Sequence, residues 1–216
     1  RLFWWAAYAD KYEGRIVPVN VKGMHVVAVN EAIGVMGIRA PDEYPLLGIV
    51  STIAPAIAMG NVVVAVAGKY SLSAMDLVEV IQTSDVPAGV VNILTAAKPD
   101  ALIEVLALHK DVDVVWCFSG SKETSAVVER ASVRNMKQTW VNYGKPVNWM
   151  GTEGESTEFL ARATHEKNIW FANAAVTTYY FARIADVLSG TQLELDGPPI
   201  DEDGAIATLT VGWTYG

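Results

Sequence analysis

Ile33-Gly34-Val35-Met36-Gly37-Ile38-Arg39 is followed by the Ala-, Ile- and Leu-rich run Leu46–Met59 and then by Val62-Val63-Val64-Ala65-Val66. The outer two runs are short and continuously apolar, as expected of strands buried on both faces. The middle run has the length of a helix, and Gly60 ends it. Strand, helix and strand in that order form a crossover unit, which joins parallel strands. Leu46 to Gly68 is also close to the ~20 apolar residues that span a bilayer. Pro55, Gly60 and Asn61 interrupt it, however, and its character changes midway from helical to β-branched. A buried helix and a buried strand are therefore expected, and no membrane partner.

Downstream the alternation continues. Helices are predicted over about Ser73–Gln82, Pro99–His109 and Lys122–Val133, and strands over Val90–Leu94, Val112–Phe118 and Gln138–Asn142. In Pro99–His109 the residues Ala101, Leu102, Val105, Leu106 and His109 share a face, with Asp100 and Glu104 off it. Five strand–helix steps joined by short loops predict the α/β class, with a five-stranded doubly wound parallel (Rossmann-like) sheet covered by helices on both faces. Upstream, Arg1–Glu13 reads as an aromatic helix, and Arg15–Val19 with Met24–Val29 as a hairpin around Lys22-Gly23. Near the end of the chain, Tyr179-Tyr180-Phe181-Ala182-Arg183-Ile184-Ala185-Asp186 with Gly190 repeats the register of Phe3-Trp4-Trp5-Ala6-Ala7-Tyr8-Ala9-Asp10 with Gly14. Strand-like runs follow at Thr191–Leu195 and Ile206–Val211, so a second helix and hairpin are expected. Three regions result: 1–31 with a helix and an assembly hairpin, 32–150 with the sheet, and 151–216 with a linker, helix and second hairpin.

Composition narrows the function. Of 216 residues, 51% are hydrophobic and 19% charged, enough apolar material for a core and too much for disorder. A net charge of −8 gives no electrostatic footprint for nucleic acid or an anionic membrane. The single cysteine, Cys117, cannot make an internal disulfide, so a reducing compartment is allowed and a cytoplasmic protein expected. The chain opens on Arg1 rather than Met, inside an aromatic stretch, and reads as a piece of a longer protein. His25, His109 and His165 are too scattered for a metal motif. There is no phosphate loop, and Gly34-Val35-Met36-Gly37 lies within a strand. The acidic run Asp196 to Asp203 reads as a solvated turn rather than a Ca²⁺ loop. Seven tryptophans, Trp4, Trp5 and Trp213 among them, suggest core packing, with some serving an interface.

Several segments resemble the aldehyde dehydrogenase superfamily, in family order. Ile33–Ile38 looks like its first strand, and Pro41-Asp42-Glu43-Tyr44-Pro45-Leu46 stands where the family has Pro-Trp-Asn-Phe-Pro-Leu. Ala54-Pro55-Ala56 through Val64 is similar to its helix-to-strand step. Pro87-Ala88-Gly89-Val90-Val91-Asn92 matches the approach to the third strand. His109-x-Asp111-Val112-Asp113 and Phe118-Ser119-Gly120-Ser121 match the region of its Phe-Thr-Gly-Ser motif, and Gly144-Lys145-Pro146 resembles the end of Glu-Leu-Gly-Gly-Lys. The likeness covers about residues 1–150. It implies a dinucleotide-binding domain and, for the family, aldehyde oxidation with NAD.

That chemistry needs a nucleophilic cysteine, oxyanion donors, a base for water, and NAD to accept hydride. The family's reactive cysteine lies far downstream in a second domain; Cys117 sits on a strand and is expected to be an inert small hydrophobe. Glu43 replaces the oxyanion-binding amide, and an ionised carboxylate cannot donate. Val141 replaces the glutamate base. Val66 and Lys69 replace the lysine and glutamate that hold the adenosine ribose. Ser119-Gly120-Ser121 before a helix survives; Gly120 and Ser121 are either a remnant pyrophosphate site for NAD or a helix cap. The pattern is similar to the truncated, non-catalytic C-terminal unit of the tandem aldehyde dehydrogenases of family sixteen. It implies a pseudoenzyme serving assembly, with a parent catalytic unit or a homo-oligomer as partner. The alternatives are the NAD-binding part of an active oxidoreductase and a module for another nucleotide or anion.

Overall fold

The computed structural model describes residues 1–21, 23–172, 183–189, 192–196 and 209–210. The chain forms two compact units, Arg1–Glu13 with Asn30–Lys167, and Gly14–Val29 with Asn168–Gly216.

The first unit is built on the predicted sheet. Its strands are β3 (Val35–Arg39), β4 (Val62–Val66), β5 (Val91–Leu94), β6 (Val114–Cys117) and β7 (Gln138–Val141). They stand in the order β5-β4-β3-β6-β7, and every pairing is parallel. Strands β3, β4 and β5 follow one another outward, and the chain then returns to place β6 on the other side of β3. The winding therefore reverses between β3 and β6, which makes that gap the switch point of the sheet.

The helices α2 (Pro45–Ala58), α3 (Leu72–Gln82), α4 (Pro99–Leu108) and α5 (Lys122–Ser132) fall within a residue or two of their sequence assignments. The stretch resembling a membrane span is resolved as α2 and β4; no helix among the described residues is long and apolar enough to cross a bilayer. One core cluster gathers Met36, Ile38, Ile49, Ile53, Val63 and Val114 with the rings of Trp5, Trp116, Phe118, Trp149 and Phe159. A second holds Ile103, Ala107, Val112, Val115, Cys117 and Val128, with Val141 packed against it. Asn61 is more than an interruption. Its buried amide accepts from the Ile33 and Gly34 N–H groups at 2.8 and 3.0 Å and donates to the Ala56 and Ala163 carbonyls at 2.9 and 2.8 Å. One side chain thus closes the end of α2, the entry to β3 and the end of α6 (Glu158–Arg162).

Two expectations change. The N-terminal helix is short, α1 (Leu2–Ala6); beyond it the chain runs in isolated turns such as Lys11 N–H to the Tyr8 carbonyl at 3.2 Å. The hairpin strand ends early as well, at β1 (Arg15–Val17), because Pro18 has no N–H for the ladder. Its partner β2 (Met24–Ala32) is longer than read, and Gly23 takes φ 75° in the turn.

Besides the main sheet, the described residues form two three-stranded sheets, of order β1-β2-β8 and β11-β10-β9. β8 (Thr164–Ala172) is an edge strand and does not join the main sheet. β9 (Arg183–Ser189), β10 (Gln192–Asp196) and β11 (Leu209–Thr210) pair antiparallel. Within the runs read at Thr191–Leu195 and Ile206–Val211 the described residues Gln192–Leu195 and Leu209–Thr210 are strand, but so is Arg183–Asp186, read as the end of a helix. A β-branched and apolar stretch with a partner beside it prefers the ladder. Tyr179–Phe181, Asp203 and Trp213 lie outside the described residues.

Candidate functional site at the switch point

Four loops leave the carboxyl ends of the strands at the switch point, and Arg39 stands at their centre. It closes β3, and its side chain is almost wholly buried. An arginine there requires charged partners, because an unpaired buried guanidinium is too costly. It has them. Nε donates to Asp100 Oδ1 at 2.9 Å and Nη2 to Asp42 Oδ1 at 2.9 Å, and Nη1 reaches the Ala40 carbonyl. Asp100 lies in the first turn of α4, and its other oxygen accepts from Ser119 Oγ at 3.2 Å and Thr124 Oγ1 at 3.0 Å. Asp42 also accepts the Lys69 N–H at 2.9 Å, and the Lys69 ammonium lies 3.4 Å from its second oxygen. Burial pushes the Asp42 carboxyl up, but the Lys69 N–H and the Arg39 guanidinium outweigh it and hold the group below the ordinary carboxylate value.

The loops touch as well. A Cβ on Gly68 would stand 2.6 Å from the Pro41 carbonyl oxygen, so only glycine lets the loop after β4 lie against the loop after β3. Gly144, at φ 73°, would place a Cβ 3.0 Å from the Gly120 carbonyl oxygen, so the turn after β7 presses on the turn after β6.

The residues singled out from sequence fall around this centre. Ser121 is the N-cap of α5: its Oγ accepts the Thr124 N–H at 3.1 Å and donates to Glu123 at 3.0 Å. Glu123 takes its own backbone N–H and the Ser121 hydroxyl, which keep its carboxyl below the usual range and ionised. Ser121 N–H donates to Ser119 Oγ at 3.2 Å. Gly120 is exposed, and open space lies where its Cβ would be. Glu43 is an exposed loop residue, and Val141 sides with the second core cluster. Cys117 is fully buried, and burial pushes its thiol up to about 11. Val66 is buried in the sheet, while Lys69 serves Asp42. Among the described residues no three His, Cys, Asp or Glu side chains group to hold a metal.

Sequence pattern marks neither Arg39 nor Asp100 as a site residue, although an arginine ending an apolar strand is itself a signal that carboxylates converge on it.

A pyrophosphate at this turn would need free N–H groups and no competing charge. The space above Gly120 admits a ligand, but three of the first amides have acceptors of their own and Glu123 places a carboxylate at the helix end. The residues present do not fit NAD at this turn.

The sequence profile of the aldehyde dehydrogenase family matches residues 1–146. The chain belongs to the aldehyde dehydrogenase family. It is 36% identical over 145 residues to the mitochondrial aldehyde dehydrogenase of Homo sapiens, a match that covers 66% of this chain and 28% of that one. It is 32% identical over 163 residues to aldehyde dehydrogenase 1A1 of Equus caballus, covering 74% and 32%. The chain thus spans about a third or less of the length of these relatives. The structure of PnpE with nicotinamide adenine dinucleotide is similar at TM-score 0.59 and 30% identity, covering 64% of this chain and 28% of that one. The gamma-glutamyl-gamma-aminobutyraldehyde dehydrogenase of Burkholderia cenocepacia J2315 is similar at TM-score 0.59 and 29% identity, covering 65% of this chain and 28% of that one. As an aldehyde dehydrogenase-family domain, the chain keeps the five-stranded parallel sheet with its helices.

Proposed function

We propose that this chain is a non-catalytic aldehyde dehydrogenase-like domain that serves assembly within a larger enzyme or oligomer. The observation that carries the assembly reading is β8, an edge strand on which Ile169, Trp170 and Phe171 are 37%, 52% and 52% exposed. Three consecutive apolar residues exposed on a strand with no second partner strand among the described residues invite a strand from another chain. The catalytic side is supported from the opposite direction. Val141 has no proton chemistry and packs on the core, Glu43 is a loop carboxylate, and Cys117 is a protonated buried thiol. The Pro41-Asp42-Glu43, Trp116 and Trp140-Val141 regions favour kinship with the truncated unit of the tandem family-sixteen enzymes, whose parent chain is then the partner. Light scattering on the chain, alone and with its parent catalytic unit, tests the reading. A complex that Trp170→Lys weakens at least tenfold supports it; a strict monomer under both conditions refutes it.

A second reading, the NAD-binding part of an active dehydrogenase, is favoured by the open space at Gly120 and by the likeness to PnpE, which was solved with NAD. Saturable quenching of tryptophan fluorescence by NAD in the micromolar range would favour it.

A further inference from the structure

Ligands of doubly wound sheets sit outside the carboxyl ends of the strands at the switch point, with their anionic groups at a helix N-terminus. In this chain that place already contains an anion. The Asp100 carboxylate is bound by the Arg39 guanidinium on one oxygen and by the hydroxyls of Ser119 and Thr124 on the other. Ser119 belongs to the turn before α5, and Thr124 to the first turn of α5. A charged donor and two hydroxyls converging on one carboxylate form the coordination expected of a bound phosphate or carboxylate ligand. Asp42 completes the closure, joining Arg39 to the loop that carries Lys69.

We propose that the switch-point crevice is liganded by the protein itself: Asp100 takes the anion position against Arg39, Ser119 and Thr124, and Asp42 and Lys69 clasp the rim, so the domain folds with the anion position of its dinucleotide site already filled. This goes beyond the assembly reading, since a non-catalytic unit need not lose its cofactor. The filled anion position also accounts for Lys69. Where the family's carboxylate would hold a ribose, a lysine extends the clasp, with its backbone N–H and ammonium both on Asp42.

The test uses the 216-residue chain. Wild type titrated with NAD and, separately, with inorganic pyrophosphate is expected to show no saturable fluorescence change and no rise in Tm up to about a thousandfold above a micromolar Kd. Asp100→Ala is expected to lower Tm by about 5 °C or more. Formate is expected to recover part of that loss saturably, relative to chloride at equal ionic strength, by re-occupying the three donors. If Asp100→Ala does not fold, Asp100→Asn, which keeps the shape but turns an amide donor toward donors, is expected to show the same loss of Tm. Micromolar binding of NAD by wild type overturns the proposal, as does a Tm unchanged in either variant or a loss that formate does not relieve. The two readings fail separately. NAD binding without aldehyde turnover sinks the self-liganded crevice and leaves assembly standing, whereas a strict monomer sinks assembly and leaves the crevice untouched.

Discussion

At the scale of single residues the molecule separates shape from chemistry. Cys117 lies among Val115, Val112 and Ile103, where a thiolate has no solvation, and Arg39 nearby relieves only part of that cost. Its thiol therefore stays protonated at neutral pH. Iodoacetamide is expected to leave the native chain unmodified over hours and to alkylate it fully once guanidinium unfolds it. Rapid native labelling would show that the strand opens or that the thiol is activated. Asp42 makes a different prediction. Its folded carboxyl titrates below the unfolded value of about 3.9, so the stability it contributes is complete above that pH. That contribution is lost as pH falls through the lower, folded value. Denaturant midpoints measured down the acid limb should drop more steeply for wild type than for Asp42→Asn, and parallel curves would remove Asp42 from the network.

At the scale of elements, the ends of the helices bear on function more than their middles do. α5 is polar in composition and is fixed at its start by the Ser121 cap, Glu123 and the Thr124 hydroxyl. Ser121→Ala removes the acceptor for the Thr124 N–H, and a lost cap costs about 1 kcal/mol, within a range of about 0.5–2. Chemical denaturation is expected to show that loss with an unchanged m-value. A cost near zero would mean that the turn is free to receive a ligand. The loop after β3 is held more firmly, since Tyr44 at φ 49° and Pro45 at the first helical position both fix the entry to α2.

At the scale of the whole first unit, stability rests on an aromatic centre. Trp116 packs edge-on to Trp140 at 5.1 Å and to Phe159 at 5.7 Å, and Phe118 meets Trp140 and Trp149 at 5.1 and 5.3 Å. These rings join β6 and β7 to the segment that follows the sheet. Trp116→Ala is expected to cost about 3–5 kcal/mol, enough to unfold a marginal domain, whereas Trp116→Phe should keep most of the packing and much of the stability. Thermal melts of the two variants check this. Equal, small losses would show that the aromatic centre is not what holds the segment in place.

How much of this was written in the residues depends on the range of the force involved. Continuous apolar runs such as Val62–Val66, the helix-length run after Pro45 and the stop at Gly60 specify local structure through neighbours in sequence. The parallel sheet therefore followed from pattern alone, with helix and strand ends misplaced by a residue or two. The lack of proton chemistry at Val141 and the burial of the Cys117 thiol within an apolar strand were legible for the same reason, because residue type and an apolar run decide them locally. The short α1, β1 ending at Pro18 and the strand at Arg183–Asp186 depended on which partners lie alongside, and pairing is not encoded in a single run. The crevice was decided by tertiary structure alone. Asp42 stands three residues from Arg39, but Asp100, Ser119 and Thr124 are distant in sequence, and the reversal of winding between β3 and β6 brings them to the same guanidinium and carboxylate.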